Sequence, residues 1–179
     1  GSQDQVEAAF GGLNLITFGG REHIHVRPVT IDIERIELLH DHLMLFFTGF
    51  SRNASDIAKE QIKITPYKKK ELKMMHSMVN RAVEILNSRW PIEKFGKLLH
   101  ESWMIKRTLS CKITNNAIDD IYAAARSAGA VGGKLLGAGG GGFMLLFAKP
   151  ENHVKIRKKL KNLLYVPFKF ESLGSQIIF

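Results

Sequence analysis

A glycine-rich segment in the second half of the chain is the first feature that indicates chemistry. Seven of the eleven residues from Gly132 to Gly142 are glycine, within the stretch VGGKLLGAGGGGF. Each glycine costs roughly 0.5–1 kcal/mol relative to alanine inside regular structure. Backbone without Cβ atoms can approach a ligand closely, and successive N–H groups can converge on phosphate oxygens. The segment therefore indicates an anion-binding loop, while a flexible loop or close helix–sheet packing stays open as an alternative.

This glycine-rich segment does not match two common nucleotide-binding patterns. Its one lysine, Lys134, precedes the GAGGGG run, so the Gly-x-x-x-x-Gly-Lys-Ser/Thr spacing is absent. A helical pattern precedes the segment and the apolar run Phe143–Ala148 follows it, which does not fit a dinucleotide-binding fingerprint. Two roles for Lys134 stay open, because it could neutralise phosphate charge or end a strand.

The elements that must position this loop follow from the spacing of apolar residues. In the first half of the chain, apolar β-formers predict strands over 13–18, 23–30 and 40–49. Helical spacing then predicts helices over 51–63 and 69–88.

The second half of the chain shows the same mixture of patterns. A helix is predicted to start at Pro91, and a further helix is capped by Thr114 or Asn115 and runs to Ala128-Gly129. The glycine loop, a strand at 143–148, a basic helix at about 152–164 and paired short strands at 166–171 and 175–179 follow. Segregated strands and helices of this kind predict an α+β fold.

Composition limits the class of protein. The chain has 179 residues, of which 45% are hydrophobic and 24% are charged, as in ordinary soluble globular proteins. No apolar run approaches the roughly 18–20 residues that a membrane span needs. The single cysteine, Cys111, cannot form an internal disulfide. We therefore expect a cytoplasmic protein without a membrane partner.

The chain is strongly basic, with a formal net charge of +9. Much of the excess lies in Lys68–Lys70 and in Lys155–Lys161, where Ile156 and Leu160 keep an apolar stripe at helical spacing. The cations of the second run therefore fall on the outer face of a helix. A solvated face is the favoured interpretation. A basic nucleic-acid-binding module stays open as an alternative, but no zinc spacing or aromatic ribonucleoprotein motif supports it, and no nucleic-acid partner is expected.

Two stretches in the right order resemble the GHMP family of small-molecule kinases. The sequence KLLGAGGGGF at 134–143 matches each fixed position of the family's third motif, Lys-x-x-Gly-Ala-Gly-x-Gly-Gly before a strand. The opening GSQDQVEAAFGGLN is similar to the stretch that holds the family's catalytic aspartate, which places that role on Asp4. The resemblance implies that residues 1–48 are the remnant of a ribosomal-protein-S5-like N-terminal domain. It also implies that residues 49–179 form a ferredoxin-like C-terminal domain.

Further stretches resemble the bacterial GHMP kinases that act on D-glycero-D-manno-heptose 7-phosphate. They are TGFSRNASDI at 48–57, LHESWMIKRTLS at 99–110 and FESLGSQII at 170–178. This resemblance implies an enzyme that transfers the γ-phosphate of ATP to the anomeric hydroxyl of that sugar phosphate, with ATP and Mg²⁺ as cofactors. Fucokinase-like and galactokinase-like members of the family share much of the pattern and stay open as alternatives.

One part of the family pattern is absent. The main nucleotide-phosphate loop, a Gly-Leu-Gly-Ser-Ser-type segment upstream of the catalytic aspartate, has no counterpart here, and neither has the lysine or arginine that often partners that aspartate. We therefore expect the chain to be the C-terminal part of a kinase, inactive by itself, with the missing N-terminal half as its partner. A homodimer stays open.

The resemblance implies roles for three residues at the start of the chain. Asp4 would accept or orient the proton of the attacking hydroxyl, which requires a carboxylate within about 3 Å of it. Gln3 and Gln5 would bind substrate. The alternatives are a first-turn acid at a helix N-terminus for Asp4 and solvent exposure for both glutamines.

Backbone amides and cations would bind the phosphate groups. The residues expected to hold ATP are Lys134, Gly137, Ala138, Gly139, Gly140, Gly141 and Gly142. Arg52, Lys106 and Arg107 are candidate ligands of the sugar phosphate, because cations can grip a phosphate group. Ordinary surface or helix-end charge is the alternative for each. No residue is assigned as a metal ligand, and the histidines are expected to be structural.

Overall fold

The computed structural model describes residues 2–19, 23–49 and 54–178. Helix α1 (Gln3–Phe10) opens the chain, and strands β1 (Asn14–Gly19) and β2 (His23–Pro28) follow it as an antiparallel hairpin. Apolar residues at Leu15, Ile16, Ile24 and Val26 favour extended backbone here. The two predicted strands are confirmed, while Gly20, which lies between them, is outside the described residues.

A four-stranded antiparallel sheet forms the centre of the rest of the chain. Its strands occur along the sheet in the order β4-β5-β3-β6. In chain order they are β3 (Leu43–Phe47), β4 (Ala130–Leu135), β5 (Phe143–Ala148) and β6 (Leu164–Tyr165). This is the order of a ferredoxin-like β-α-β-β-α-β unit, so the predicted α+β, ferredoxin-like organisation is confirmed.

Six further helices accompany the strands. They are α2 (Ile33–Asp41), α3 (Ala54–Ile64), α4 (Lys69–Asn87), α5 (Glu93–Arg107), α6 (Asn116–Ser127) and α7 (His153–Lys159). Helices α5 and α6 pack against β4, and α4 packs against α5. The amide of Ile118 donates to the Asn115 side chain at 3.0 Å, which identifies Asn115 rather than Thr114 as the cap of α6.

The core lies between this sheet and the helices. Trp103 of α5 is fully buried among Phe46 of β3 and Met144 and Leu146 of β5. A second cluster surrounds Phe147 on the other face of β5. Because one cluster lies on each face of β5, residues on both its faces are buried, as its continuous apolar sequence predicted.

Several predicted elements differ in the structure. Helix α2 was not predicted. The sequence predicted that His40 and His42 alternate along a strand over 40–49, but His40 lies on α2 and His42 at its end. Strand β4 was not predicted either, because its central Gly132 and Gly133 resemble loop residues. The glycine-rich loop therefore connects two strands and does not follow a helix.

The prediction of two paired strands at 166–171 and 175–179 was wrong. The structure has one short strand, β6, and the described residues 166–178 contain no helix or strand. This segment instead lies along the start of the chain, where the amide of Gly12 donates to Glu171 O at 2.9 Å and that of Ser175 to Ala8 O at 3.1 Å. Its backbone groups find partners in α1 and the adjoining turn rather than in a second hairpin.

The position of strand β3 in the sheet affects where the predicted boundary between the two domains, at residue 48, should lie. Its residues 43–47 pair with β5 and β6, so β3 belongs to the same sheet as the C-terminal strands. We therefore propose that the boundary between the two parts lies before β3, while the assignment of 1–48 and 49–179 to two domains stays a prediction.

Close packing explains the glycine at position 132. A Cβ atom there would overlap the carbonyl of Gly96 in α5, and it would lie 3.0 Å from the amide of His100. Gly96 in turn faces the ring of Phe147, which leaves no space for a side chain on α5. Gly132 thus allows a helix to approach the sheet, which was one of the alternatives open from sequence.

We expect Gly132→Ala to lower the free energy of unfolding by about 1–3 kcal/mol, because the new methyl group forces α5 away from β4. Chemical denaturation measures the change. Gly19→Ala is the matched control, since a Cβ there meets no atom of the described residues closer than His23 O at 3.9 Å, and its effect should stay within about 0.5 kcal/mol. Equal effects of the two substitutions would contradict the packing argument.

Candidate functional site

The glycine-rich loop is the hairpin connection 136–142 between β4 and β5. The amide of Leu136 donates to Phe143 O at 2.8 Å and closes the hairpin. Gly137, Gly139 and Gly142 have φ angles of 72°, 124° and 101°, in the left-handed region that favours glycine. The loop conformation therefore needs glycine at these positions.

Two long side chains hold the carbonyl groups of the first half of the loop. Lys106 Nζ donates to Gly137 O at 2.7 Å from the end of α5. Gln61 Nε2 donates to Ala138 O at 2.9 Å from α3. Both carbonyl oxygens are therefore turned towards protein donors.

The second half of the loop is held in the same way. The backbone amide and the hydroxyl of Thr48 both donate to Gly142 O, at 2.9 and 2.8 Å. Asn115 Nδ2 lies 3.5 Å from Gly140 O, and the amide of Gly140 donates to Ile113 O at 2.8 Å. The segment before α6 thus supports the loop at two points.

Most amide groups of the loop have no partner within the described part of the chain. The N–H groups of Leu136 and Gly140 are paired, as given above. Five other amide groups of the loop donate no hydrogen bond to another described residue, namely those of Gly137, Ala138, Gly139, Gly141 and Gly142. A loop with its carbonyl groups held by protein donors and its amides unpaired is suited to bind an anion.

Two lysines stand beside this loop without a carboxylate partner among the residues that the structure describes. Burial, together with the charge of Lys134, lowers the pKa of Lys106 to about 8. Burial also lowers the pKa of Lys134, which lies on β4. Two partly buried ammonium groups near each other are costly unless an anion compensates their charge.

The other predicted phosphate ligands are placed differently. Arg107 Nη2 pairs with Asp119 Oδ2 at 2.6 Å, and Asp119 also accepts from the Thr114 hydroxyl at 2.6 Å. Its guanidinium is therefore engaged in a contact between α5 and α6. Arg52 lies outside the described residues.

The predicted catalytic region lies on α1. Asp4, Gln3 and Gln5 are exposed in its first turn. No hydrogen bond or ion pair between described residues joins any of them to the glycine loop. The structure thus brings Lys106, Lys134 and the loop together, while Asp4 belongs to a separate element.

Of the residues that hold the loop carbonyls, sequence reasoning named Lys106 as a site residue but missed Gln61 and Thr48. Gln61 is 77 positions from Ala138 and Thr48 is 94 positions from Gly142. Neither has a local pattern that could reveal these contacts. Asn115 was found only as a helix cap, because capping is a local signal.

A second basic region is distinct from the loop. Four lysines and the end of α6 line a groove formed by Ser127, Ala128, Lys155, Lys158, Lys159 and Lys161. None of these lysines has an ion pair with another described residue. None of the described residues that line the groove is aromatic.

Metal and membrane features were searched in the same part of the chain. Within the described ranges, no group of three or more His, Cys, Asp or Glu side chains is arranged to hold a metal ion. Of the helices with described coordinates, none is both long and apolar enough to cross a membrane.

Comparison with solved structures identifies the fold. The chain superimposes on the mevalonate kinase of L. major, solved with R-mevalonate, with a TM-score of 0.71 at 20% identity, over 90% of this chain and 50% of that one. It also superimposes on the D-glycero-D-manno-heptose 1-phosphate kinase of Bacteroides thetaiotaomicron with a TM-score of 0.65 at 23% identity, over 100% and 50% of the two chains. The sheet and its helices therefore define the C-terminal fold of small-molecule kinases of this type.

Sequence comparison gives the family. Residues 89–166 match the profile described as GHMP kinases C terminal. The D-glycero-alpha-D-manno-heptose 7-phosphate kinase of Campylobacter jejuni is 32% identical over 163 residues, which are 90% of this chain and 48% of that kinase. The chain carries a GHMP kinase C-terminal domain, and it spans about half the length of this relative.

We expect binding of ATP by this chain to weaken about tenfold between pH 7 and pH 9, because Lys106 is charged below its pKa of about 8 and neutral above it. Phosphate groups are already ionised above pH 7, so their charge changes little. Isothermal titration calorimetry at several pH values measures the affinity. The ATP affinity of the Lys106→Met variant should not fall near pH 8. A wild-type affinity that is independent of pH would contradict the prediction.

Proposed function

We propose that this chain is the C-terminal part of an ATP-dependent sugar kinase, with the preceding half of the same polypeptide as its partner. The observation that carries the proposal is the glycine loop, where protein donors hold several carbonyl groups while most amides have no partner among the described residues. A kinase needs such a site because phosphoryl transfer depends mainly on positioning and on neutralising charge. The 32% identity to a heptose phosphate kinase supports the same assignment.

The phosphate end of the site would use the loop and its two lysines. The loop amides without a partner among the described residues donate towards phosphate oxygens, and Lys106 and Lys134 add positive charge beside them; these amides are those of Gly137, Ala138, Gly139, Gly141 and Gly142. ATP, with Mg²⁺, supplies the phosphoryl group when it is bound. Since these donors are fixed by the fold, little reorganisation is needed as charge develops in the transition state.

The sugar end of the site is proposed to include Asp4. Its carboxylate would accept or orient the proton of the attacking hydroxyl, and its exposure on α1 leaves it accessible to a substrate. Gln3 and Gln5 would bind the sugar from the same turn. Lys106 is a candidate ligand for the phosphate groups of ATP or for the phosphate group of the sugar. Arg107 is the weaker candidate ligand, because its guanidinium is paired with Asp119.

The substrate is proposed to be D-glycero-D-manno-heptose 7-phosphate, since the name of the Campylobacter jejuni relative gives the heptose 7-phosphate as the substrate of that protein. The anomeric hydroxyl is proposed as the acceptor. This chain joined to its preceding half should turn over ATP with this sugar phosphate in a coupled ADP-release assay. Phosphorus NMR should then show a new anomeric phosphate. L-fucose and galactose are the competing substrates, and turnover of either in preference to the heptose would assign the protein to another sugar kinase of the family.

In the same joined polypeptide, we expect Asp4→Asn to reduce kcat about 10²- to 10⁴-fold, because the asparagine amide cannot take a proton. Glu7→Gln is the matched control one turn later on α1. Glu7 accepts a hydrogen bond from Asn14 at 3.1 Å, and glutamine retains an oxygen for that contact. Steady-state kinetics measures both variants, and an Asp4→Asn variant with the kcat of the control would remove Asp4 from the mechanism.

A further inference from the structure

Helix α3 is attached to the glycine loop and to the segment that supports the loop. Gln61 Nε2 donates to Ala138 O at 2.9 Å. One residue earlier, Glu60 pairs with Lys112 at 3.8 Å, within the segment whose Ile113 carbonyl accepts the amide of Gly140. The position of α3 is therefore linked to the loop through two adjacent side chains.

The contact of Gln61 fixes more than one carbonyl group. The peptide unit between Ala138 and Gly139 is planar and trans, so its N–H group points away from its C=O group. Holding Ala138 O towards α3 consequently holds the amide of Gly139 in the opposite direction. That amide is one of those without a partner among the described residues.

The backbone around this peptide unit does not fix its orientation by itself. Rotation of this unit changes ψ of Ala138 and φ of Gly139, and the latter is 124°. Because glycine populates both halves of φ space about equally, rotation of the 138–139 peptide unit costs little in this loop. A rotated unit would present the Ala138 carbonyl oxygen where the Gly139 amide now points, and an oxygen repels an anion.

We infer that Gln61 is a positioning residue for anion binding by the glycine loop. It selects the orientation of the 138–139 peptide unit that directs the Gly139 amide to a phosphate group, and it makes the phosphate affinity of the loop depend on the placement of α3. This inference rests on the proposed phosphate-binding role of the loop. A neutral amide is suited to the task, because it donates to the carbonyl without placing a further charge beside the ligand.

The test uses this chain with isotopic labels and pyrophosphate as the probe. The variants are Gln61→Met, which removes the donor at similar length, and Gln61→Glu, which keeps the shape and adds negative charge. Ile62→Met is the matched control, since Ile62 is the next residue of α3 and is 72% exposed. The Ala138 carbonyl carbon and the Gly139 amide are followed by NMR during titration.

In the wild-type chain and the control, pyrophosphate should shift the Gly139 amide resonance. In Gln61→Met the Ala138 carbonyl resonance should move before any ligand is added, and pyrophosphate affinity should fall about three- to tenfold. Gln61→Glu should bind more weakly still. If Gln61→Met fails to fold, the isosteric Gln61→Glu decides the outcome by the same two signals.

The outcomes separate this inference from the proposed function. A wild-type chain whose loop amides do not respond to pyrophosphate would overturn the phosphate-binding role of the loop and the inference with it. A wild-type response that persists at equal affinity in both Gln61 variants would overturn the role of Gln61 alone. An unchanged Ala138 carbonyl resonance in Gln61→Met would do the same.

Discussion

The site depends on one constraint, namely that carbonyl oxygens of the glycine loop are held by donors from other elements. Lys106 and Gln61 bind two of these oxygens, and Thr48 binds a third through both its amide and its hydroxyl. A peptide unit whose oxygen is held inward presents its N–H group on the other side. Helices α5 and α3 therefore direct the amides of Ala138 and Gly139, although neither helix contributes an amide itself.

Positive charge is distributed over the molecule in three different ways. Lys106 and Lys134 are partly buried beside the loop, and their lowered pKa values reflect lost hydration that an anion would compensate. Arg107 is paired with Asp119 and ties α5 to α6. The lysines of α7 and the following turn line an exposed groove away from the loop. The net charge alone could not distinguish these uses, because it counts charges without their surroundings.

The glycines of the segment VGGKLLGAGGGGF serve two separate purposes. Gly132 lies on β4, where the absence of a side chain lets α5 approach the sheet. In the hairpin loop, left-handed backbone is supplied by Gly137, Gly139, Gly140 and Gly142. Both purposes rest on the missing Cβ atom, so composition by itself predicted a need for bare backbone but not which need applied at each position.

The sequence by itself determined the α+β pattern, the long helices α4 and α5, the buried strand β5 and the family motif, because these depend on local periodicity and on residues adjacent in the chain. It did not determine β4, whose glycines resemble a loop, or α2, and it predicted terminal strands that do not form. Only the tertiary structure decided which side chains hold the loop, since Gln61 and Thr48 meet it across 77 and 94 positions. Contacts of that separation leave no pattern along the chain, because they exist only once the sheet has brought its neighbours together.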